Sequence, residues 1–390
     1  MPELKPRTAA GRALGDLLAG VLPRLREEAA EHDRDASFPT AAFTDMGAKG
    51  ILGATVPAEL GGLQVTSPHD VAVALAQVAA ADPGAALALH MQFSRGLTLG
   101  HDWRETGDDA LRALLVAMAD GRALVSGAVS EPGSDYHRVS TRVARRDDGA
   151  WELTGRKTFV TLASAATHFV VRAATADADP GDRRFAAVLL ARETPGLHVA
   201  ERWAALGMRS SGSPDVTFDS CPVPAAHVWV RGPWGQSTPA ELPGRAVSTV
   251  AMLGIYLGIA ERAAELAAKA AARHRARNAV TTGAGALLAD VHTRLHSVRA
   301  VVAHTTEAVE HGVTGDPVAL MRDFQAGKQF VNEQACLVVD RCLSLVGGGA
   351  YMAGHELARL YRDVRAGGFM QPYSPPDAIS FLAETSVPGV

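Results

Sequence analysis

The sequence predicts an α+β protein with an N-terminal helical domain, a small central antiparallel β domain and a C-terminal helical bundle. Leucines and valines from Leu14 to Leu25 recur three or four residues apart, which is the spacing of one buried helical face. After Gly121 the apolar residues alternate in short runs separated by turns, a pattern typical of strands. The helical spacing returns near Arg245. These changes predict domains over residues 1–120, 121–235 and 236–390.

The individual elements follow the same division. The turn sequence Asp147-Asp148-Gly149 is typical of a hairpin, and no helical pattern interrupts the strands around it, which favours a small antiparallel barrel or sandwich. Helices are predicted over 14–25, 71–80, 85–100, 286–311 and 324–346. Strands are predicted over 139–143, 151–153, 168–171, 185–190 and 215–218.

Composition and charge argue against several classes of protein. Hydrophobic residues make up 47% of the chain and charged residues 21%, as in ordinary globular proteins. The net charge of −4 gives no electrostatic basis for binding nucleic acid or an anionic membrane. The three cysteines show no paired spacing, which favours a reducing, cytoplasmic location. The longest uncharged stretch, 246–260, is shorter than the roughly 20 residues of a membrane span, so we predict a buried core helix.

General catalytic motifs are missing from the sequence. There is no G-x-G-x-x-G after a strand, no phosphate-binding loop, no G-x-S-x-G and no C-x-x-C. His292 and His296 are four residues apart and share a helical face, but the glutamate of H-E-x-x-H is missing. We therefore interpret them as surface histidines and predict no metal site.

Five short strings nevertheless occur in a fixed order along nearly the whole chain. They are FP at 38–39 with GILG, VP and GG at 50–62; AVSEPGSD at 128–135; LTGRKTFVT at 153–161; LGMRS at 206–210 with VTFD at 216–219; and GGGAY at 347–351 with YRDVR at 361–365. Together they resemble the acyl-CoA dehydrogenase superfamily of flavoproteins. The resemblance implies that family's fold, with a four-helix bundle as the last domain, and a homodimer or homotetramer.

The resemblance also implies a flavin site. Ser130 and Thr161 would place hydroxyls near the N1–C2 and N5 edges of the isoalloxazine, and Phe159 would pack on the ring. The alternative is that the two hydroxyls only satisfy the ends of strands. The full set of cofactor-binding residues implied is Ala128, Val129, Ser130, Ser134, Phe159, Val160 and Thr161, with Gly347, Gly348 and Gly349 reaching the pyrophosphate of a neighbouring subunit.

Two features depart from the family pattern. The glutamate that removes the α-proton of an acyl thioester is replaced by Gln371, whose amide has no useful basicity. The family's other base position corresponds to Gly244, beside Arg245, which resembles an arginine near the thioester. The arm that holds the adenine end of FAD corresponds to residues 277–285 and lacks its usual Phe-Gly and Gln. The cofactor is therefore expected to be FAD, with FMN or a transiently bound reduced flavin as alternatives.

Both departures resemble the monooxygenase branch of the superfamily. Those enzymes take reduced flavin from a separate reductase and use oxygen to hydroxylate a small organic or carrier-bound substrate. Gln371 followed by Pro372 is similar to their closing segment, and Phe369, Met370 and Tyr373 could form the dry pocket they need. Two alternatives stay open. One is an acyl-thioester dehydrogenase with a displaced base, served by an electron-transfer flavoprotein; the other is a non-catalytic subunit of a hetero-oligomer.

Overall fold

The computed structural model describes residues 4–133, 138–146, 149–176, 179–236, 238–277 and 282–387, and its elements follow the predicted order. Six helices come first: α1 (Ala9–Ala19), α2 (Leu22–Asp35), α3 (Thr40–Ala48), α4 (Pro68–Ala79), α5 (Pro83–Thr106) and α6 (Asp109–Ala119). Eight strands follow: β1 (Val125–Ala128), β2 (Arg142–Arg145), β3 (Trp151–Lys157), β4 (His168–Thr175), β5 (Arg184–Ala191), β6 (Leu197–Val199), β7 (Val216–Val223) and β8 (Val228–Pro233). The last helices are α7 (Leu242–Thr249), α8 (Leu253–Arg277), α9 (Thr282–Gly312), α10 (Pro317–Val346), α11 (Glu356–Val364) and α12 (Pro375–Ser386).

Several helix boundaries differ from the sequence prediction, and two of the differences have a clear local cause. The buried face from Leu14 to Leu25 is shared by α1 and α2, because Pro23 has no amide hydrogen and its ring cannot continue α1. Helix α10 begins at Pro317, seven residues before the predicted start at Phe324. There the side chain of Asp316 accepts the amide of Val318, and proline suits the first turn.

The sheet is mostly antiparallel, with two parallel pairs that the sequence did not predict. Its order is β6-β7-β3-β2-β4-β5-β8, with β1 on β4 outside this path. Strands β1 and β2 both pair with β4 in parallel, β1 along 168–171 and β2 at 174–175. The chain therefore leaves β4 after Ala128 and returns to it at Arg142. The segment between β1 and β2 contains Ser130 and Glu131.

The first and last helical domains share one core. Helices α4 and α8 cross where Gly254 and Gly258 face the backbone of Ala72 and Ala76. A Cβ at Gly254 would lie 2.0 Å from the Ala72 carbonyl oxygen, and one at Gly258 would lie 2.2 Å from that of Ala76. We call these four residues the glycine seam. It brings two backbones closer together than any larger residue allows.

The uncharged stretch 246–260 lies in this shared core, where most of its side chains are buried. The surrounding helical stretch Pro239–Arg273 is long and apolar enough to cross a membrane by length and composition alone. Within the fold, however, 72% of its most apolar window is buried, as in the core helix of a soluble protein.

Helix α11 is joined to the loop after β6 by a buried carboxyl group. Asp363 accepts the backbone amide of Met208 at 2.6 Å, and Arg362 forms an ion pair with Asp33 at 2.6 Å. Burial raises the pKa of Asp363 to about 7, against the opposing effects of the Met208 hydrogen bond and Arg359. The folded protein therefore keeps a proton on Asp363 at pH values where the unfolded chain has released it.

Replacing Asp363 with asparagine is expected to flatten the pH dependence of stability. Because the pKa of Asp363 is higher in the folded state, the free energy of unfolding falls as pH rises from about 4 to about 7. The slope is at most about 1.4 kcal/mol per pH unit. Asparagine still accepts the Met208 amide but does not titrate. Urea unfolding of both proteins across this range tests the assignment, and equal slopes would contradict it.

Candidate active site

Two distant parts of the sequence meet at the centre of the predicted site. The amide nitrogen of Gln371, in the segment after α11, donates to the hydroxyl oxygen of Ser130, in the loop after β1, at 3.3 Å. The two residues are 241 positions apart. The structure thus brings the residue aligned with the family's base next to a residue of the predicted flavin cradle.

The other half of the cradle is hydrogen-bonded to the same loop. The Thr158 amide donates to the Ser130 carbonyl at 2.9 Å. The Ser126 hydroxyl, on β1, donates to the Thr161 carbonyl at 2.6 Å. The Ser213 hydroxyl donates to the Thr161 hydroxyl at 3.2 Å. Backbone and side-chain bonds therefore fix the Ser130 and Thr161 segments relative to each other.

Phe159 projects outward from this frame. Its backbone has φ of 54°, a value that bulky residues rarely adopt, and 66% of the side chain is exposed. The next residue, Val160, is fully buried, so one side chain anchors the turn while the other is presented at the surface. Trp203 meets the Phe159 ring edge-on, with centroids 5.9 Å apart. The two rings thus form an edge-to-face aromatic pair, with Phe159 two residues before Thr161.

A buried ion pair lies beneath the Ser130 loop. The Lys157 ammonium is 2.6 Å from Glu131 and donates to the Val129 carbonyl at 3.1 Å. The exposed fractions of the two side chains are 0% and 3%. Burial alone would raise the pKa of Glu131, but hydrogen bonds from Lys157, Thr141 and Ser140 outweigh it and lower that pKa to about 2. Glu131 is therefore ionised at every physiological pH.

Arg245 approaches the site from the Gln371 side. It is 8% exposed, and its guanidinium donates to the Pro372 carbonyl at 3.0 Å. The same group lies 5.1 Å from the centre of the Tyr373 ring. Lys328, on α10, donates to the Tyr373 carbonyl at 2.9 Å and to the Met370 carbonyl. Burial lowers the pKa of Lys328 to about 8, and the charge of Arg245 contributes.

Three domain models of one family match the chain in order. The N-terminal domain of acyl-CoA dehydrogenases matches residues 21–122, the middle domain 126–221 and the C-terminal domain 245–371. This chain belongs to the acyl-CoA dehydrogenase family. The predicted resemblance and fold class are confirmed, and the chain is a flavin-dependent oxidoreductase of that family.

Similar proteins within the family are nitrososynthases. L-evernosamine nitrososynthase from a Micromonospora species is 48% identical, over 97% of this chain and 90% of its own length. The crystal structure of a nitrososynthase from Micromonospora carbonacea var. africana has a TM-score of 0.93 and 46% identity, and covers 100% of this chain and 99% of its own. KijD3 in complex with FMN and dTDP-3-amino-2,3,6-trideoxy-4-keto-3-methyl-D-glucose has a TM-score of 0.92 and 45% identity, covering 98% and 94%.

The contacts described above do not include the remaining predicted residues of the family's site. Ser134 lies outside the described residues, as do positions 278–281 of the shortened arm. Gly347, at φ of 81°, ends α10, and Gly348 and Gly349 follow in a short 3-10 helix. Tyr351 next to them is 85% exposed. Their contact with a neighbouring subunit's cofactor stays a prediction.

A cleft of about 590 Å³ opens between α2 and α11 and shares no residue with the site. It is lined by several arginines, of which Arg362 and Arg209 are engaged within the fold. Arg362 binds Asp33 through both carboxylate oxygens, and Arg209 donates to the carbonyls of Asp33 and Ala205. These bonds join helices and indicate a structural role.

Three residues near the centre could not be predicted from motifs in the sequence. Glu131 and Lys157 both lie inside strings that resemble the family, but their pairing joins positions 26 apart and was not predicted. Lys328 was missed because it lies within a long helix without a motif. A signal existed, since Phe324, Lys328 and Val331 follow the spacing of one buried face, where an isolated lysine is unusual.

Proposed function

We propose that this protein is a flavin-dependent N-oxygenase that converts the amine of a nucleotide-linked amino sugar to a nitroso group. The observation that carries the proposal is the neutral Gln371 amide 3.3 Å from Ser130, where a thioester dehydrogenase needs a carboxylate base. The 45–48% identity with nitrososynthases over nearly the whole chain supports the substrate class.

The residues present fit a flavin. The exposed Phe159 ring offers a flat apolar surface, and the Ser130 and Thr161 hydroxyls lie in segments bonded to each other. We propose FMN, delivered in the reduced form by a separate reductase, because the arm that would hold the adenine half lacks its usual residues and KijD3 was crystallised with FMN. When bound, the reduced flavin supplies the electrons that activate oxygen.

The reaction balances with two rounds of oxygenation. One amine, two oxygen molecules and two reduced flavins give one nitroso compound, three waters and two oxidised flavins. The amine must react as the free base, since the ammonium form has no lone pair to attack oxygen. Gln371 suits this requirement because its amide oxygen accepts an N–H but, being uncharged, stabilises an ammonium much less than a carboxylate would. Arg245 adds a positive charge near Gln371 and so disfavours the ammonium form.

The test uses the purified protein with FMN, a flavin reductase, NADH and a dTDP-3-amino-deoxysugar in air. We expect mass spectrometry to show the hydroxylamine first and then a product that has gained one oxygen and lost two hydrogens. In parallel, short-chain acyl-CoA is added anaerobically to the FMN- and FAD-loaded protein. Bleaching of the flavin by acyl-CoA, with no oxidised sugar, would overturn the proposal in favour of a dehydrogenase. Oxygen consumption without formation of the hydroxylamine or the nitroso sugar would favour a different substrate class.

A further inference from the structure

Lys328 is a buried cation on the inward face of α10. Its residue is 3% exposed, and its bonds within the described chain go to backbone carbonyls. Moving an ammonium group out of water costs several kcal/mol unless good partners replace the water. A methionine of similar length would fill the space without this cost. The charge therefore needs an explanation beyond packing.

The carbonyls that Lys328 holds flank Gln371. Its ammonium bonds to Met370 on one side and to Tyr373 on the other, and Arg245 bonds to the Pro372 carbonyl from α7. Two cations from two helices thus hold three of the four carbonyls from 370 to 373. The Gln371 side chain leaves this restrained backbone toward Ser130. Gln371 itself is exposed, so the carbonyl contacts restrain the backbone from which its side chain starts, while little packing restrains the side chain.

A small cavity of about 10 Å³ is lined in part by Lys328. Tyr256, Asn332 and Met370 are among its lining residues. Within the described chain, the Tyr256 hydroxyl and the Asn332 side-chain oxygen are buried without a hydrogen-bond partner. The cavity beside Lys328 thus contains two polar atoms without a partner among the described residues and has room for at most one water. A larger head group at position 328 fits poorly unless this cavity takes it up.

We propose that Lys328 is a positioning residue that holds the 370–373 backbone so that the Gln371 amide faces Ser130 and the substrate amine. Lys328 acts through Gln371 and does not touch the substrate. The part concerning the amine rests on the proposed N-oxygenase function. The proposal that Lys328 orients Gln371 toward Ser130 is independent of that function, since it requires only that flavin binds beside Ser130.

The test compares Lys328→Met, which removes the donors, with Lys328→Arg, which keeps them. Arg322→Met is the matched control, because Arg322 is also on α10 and also donates to a backbone carbonyl, that of Thr385. We expect Lys328→Met to raise the KM for the amino sugar about tenfold, as the loss of one oriented hydrogen bond predicts. Most of its oxygen consumption should then end as hydrogen peroxide. The coupling is the fraction of consumed oxygen that ends in the N-oxidised sugar. Lys328→Arg should recover part of this fraction, and Arg322→Met should keep the wild-type value.

A second readout separates this proposal from the proposed function. The absorption spectrum and the affinity of bound FMN depend on the contacts of the flavin beside Ser130, and both can be measured without any substrate turnover. We expect both to change in Lys328→Met but not in Arg322→Met. If folded Lys328→Met keeps the wild-type spectrum, FMN affinity, KM and coupling, the positioning role is wrong. If the wild type makes no N-oxidised sugar while Lys328→Met still alters the FMN spectrum, the proposed substrate is wrong and the positioning role stands.

Discussion

Replacing Gln371 with glutamate is expected to lower N-oxidation at neutral pH by about tenfold to a hundredfold. A carboxylate in place of the amide would pair with the substrate ammonium and raise the pKa of the bound amine by roughly one to two units. Each unit removes about nine-tenths of the free base at a pH below that pKa. The activity should return at higher pH, so the acid limb of the pH–rate profile should move upward. Initial rates of product formation across pH measure this shift.

Gln371→Met is the control for this experiment. It removes the hydrogen bond to Ser130 without adding a charge, so its rate should fall while its pH profile keeps its position. A Gln371→Glu protein whose pH profile coincides with that of Gln371→Met would contradict the role given to the neutral amide. New bleaching of the flavin by an acyl-CoA in Gln371→Glu would show that the pocket still accepts thioesters and that the base alone had been lost.

Replacing Lys157 with methionine is expected to lower the free energy of unfolding by about 3–5 kcal/mol. The substitution leaves the Glu131 carboxylate buried without its cation, which is among the most costly single changes in a protein interior. Because Lys157 also holds the Val129 carbonyl, the Ser130 loop should loosen and FMN should bind more weakly. Urea unfolding and fluorescence titration with FMN measure the two effects.

The neighbouring ion pair provides the control. Arg156 and Asp215 are also 2.6 Å apart, but the arginine side chain is 62% exposed. Arg156→Met should therefore cost at most about 1 kcal/mol, since water screens the pair. The double variant Lys157→Met with Glu131→Gln removes both charges and should recover part of the lost stability. If Lys157→Met and Arg156→Met lower the free energy of unfolding equally, burial does not account for the contribution of the Lys157 pair to stability.

The order of the domains could be predicted from the sequence because periodicity is local. The alternating runs and the helical runs each extend over a few residues, and the change near Gly121 needs no knowledge of partners. The parallel pairing of β1 and β2 with β4 could not be predicted, since alternation fixes which face a strand buries but not which strand lies beside it. The separation of α1 from α2 at Pro23 was predictable in principle, yet the continuous apolar face obscured it.

The site divides in a similar way. Ser130, Thr161 and Gln371 could be named because they lie in strings that resemble a family, and the structure brings Ser130 and Gln371 within 3.3 Å. Their roles toward flavin and substrate stay proposals. Lys157 and Lys328 act through partners 26 and more than 40 residues away, and no local pattern encodes such pairs. Both are cations at positions on the buried face of their element, where an apolar residue is expected, so the physical signal is an exception to patterning.

The glycine seam limits how this protein can be recombined with its relatives. Because α4 and α8 touch backbone to backbone at Gly254 and Gly258, each helical domain is shaped to the surface of the other. A chimera that takes one helical domain from a relative with larger residues at these positions would force the two helices apart. The β domain has its own hydrophobic core, but Val125, Val170 and Leu189 on its outer face also pack against α5 and α6. Exchange of parts among related enzymes should therefore succeed when the two helical domains are kept together and an exchanged β domain keeps these three contact residues.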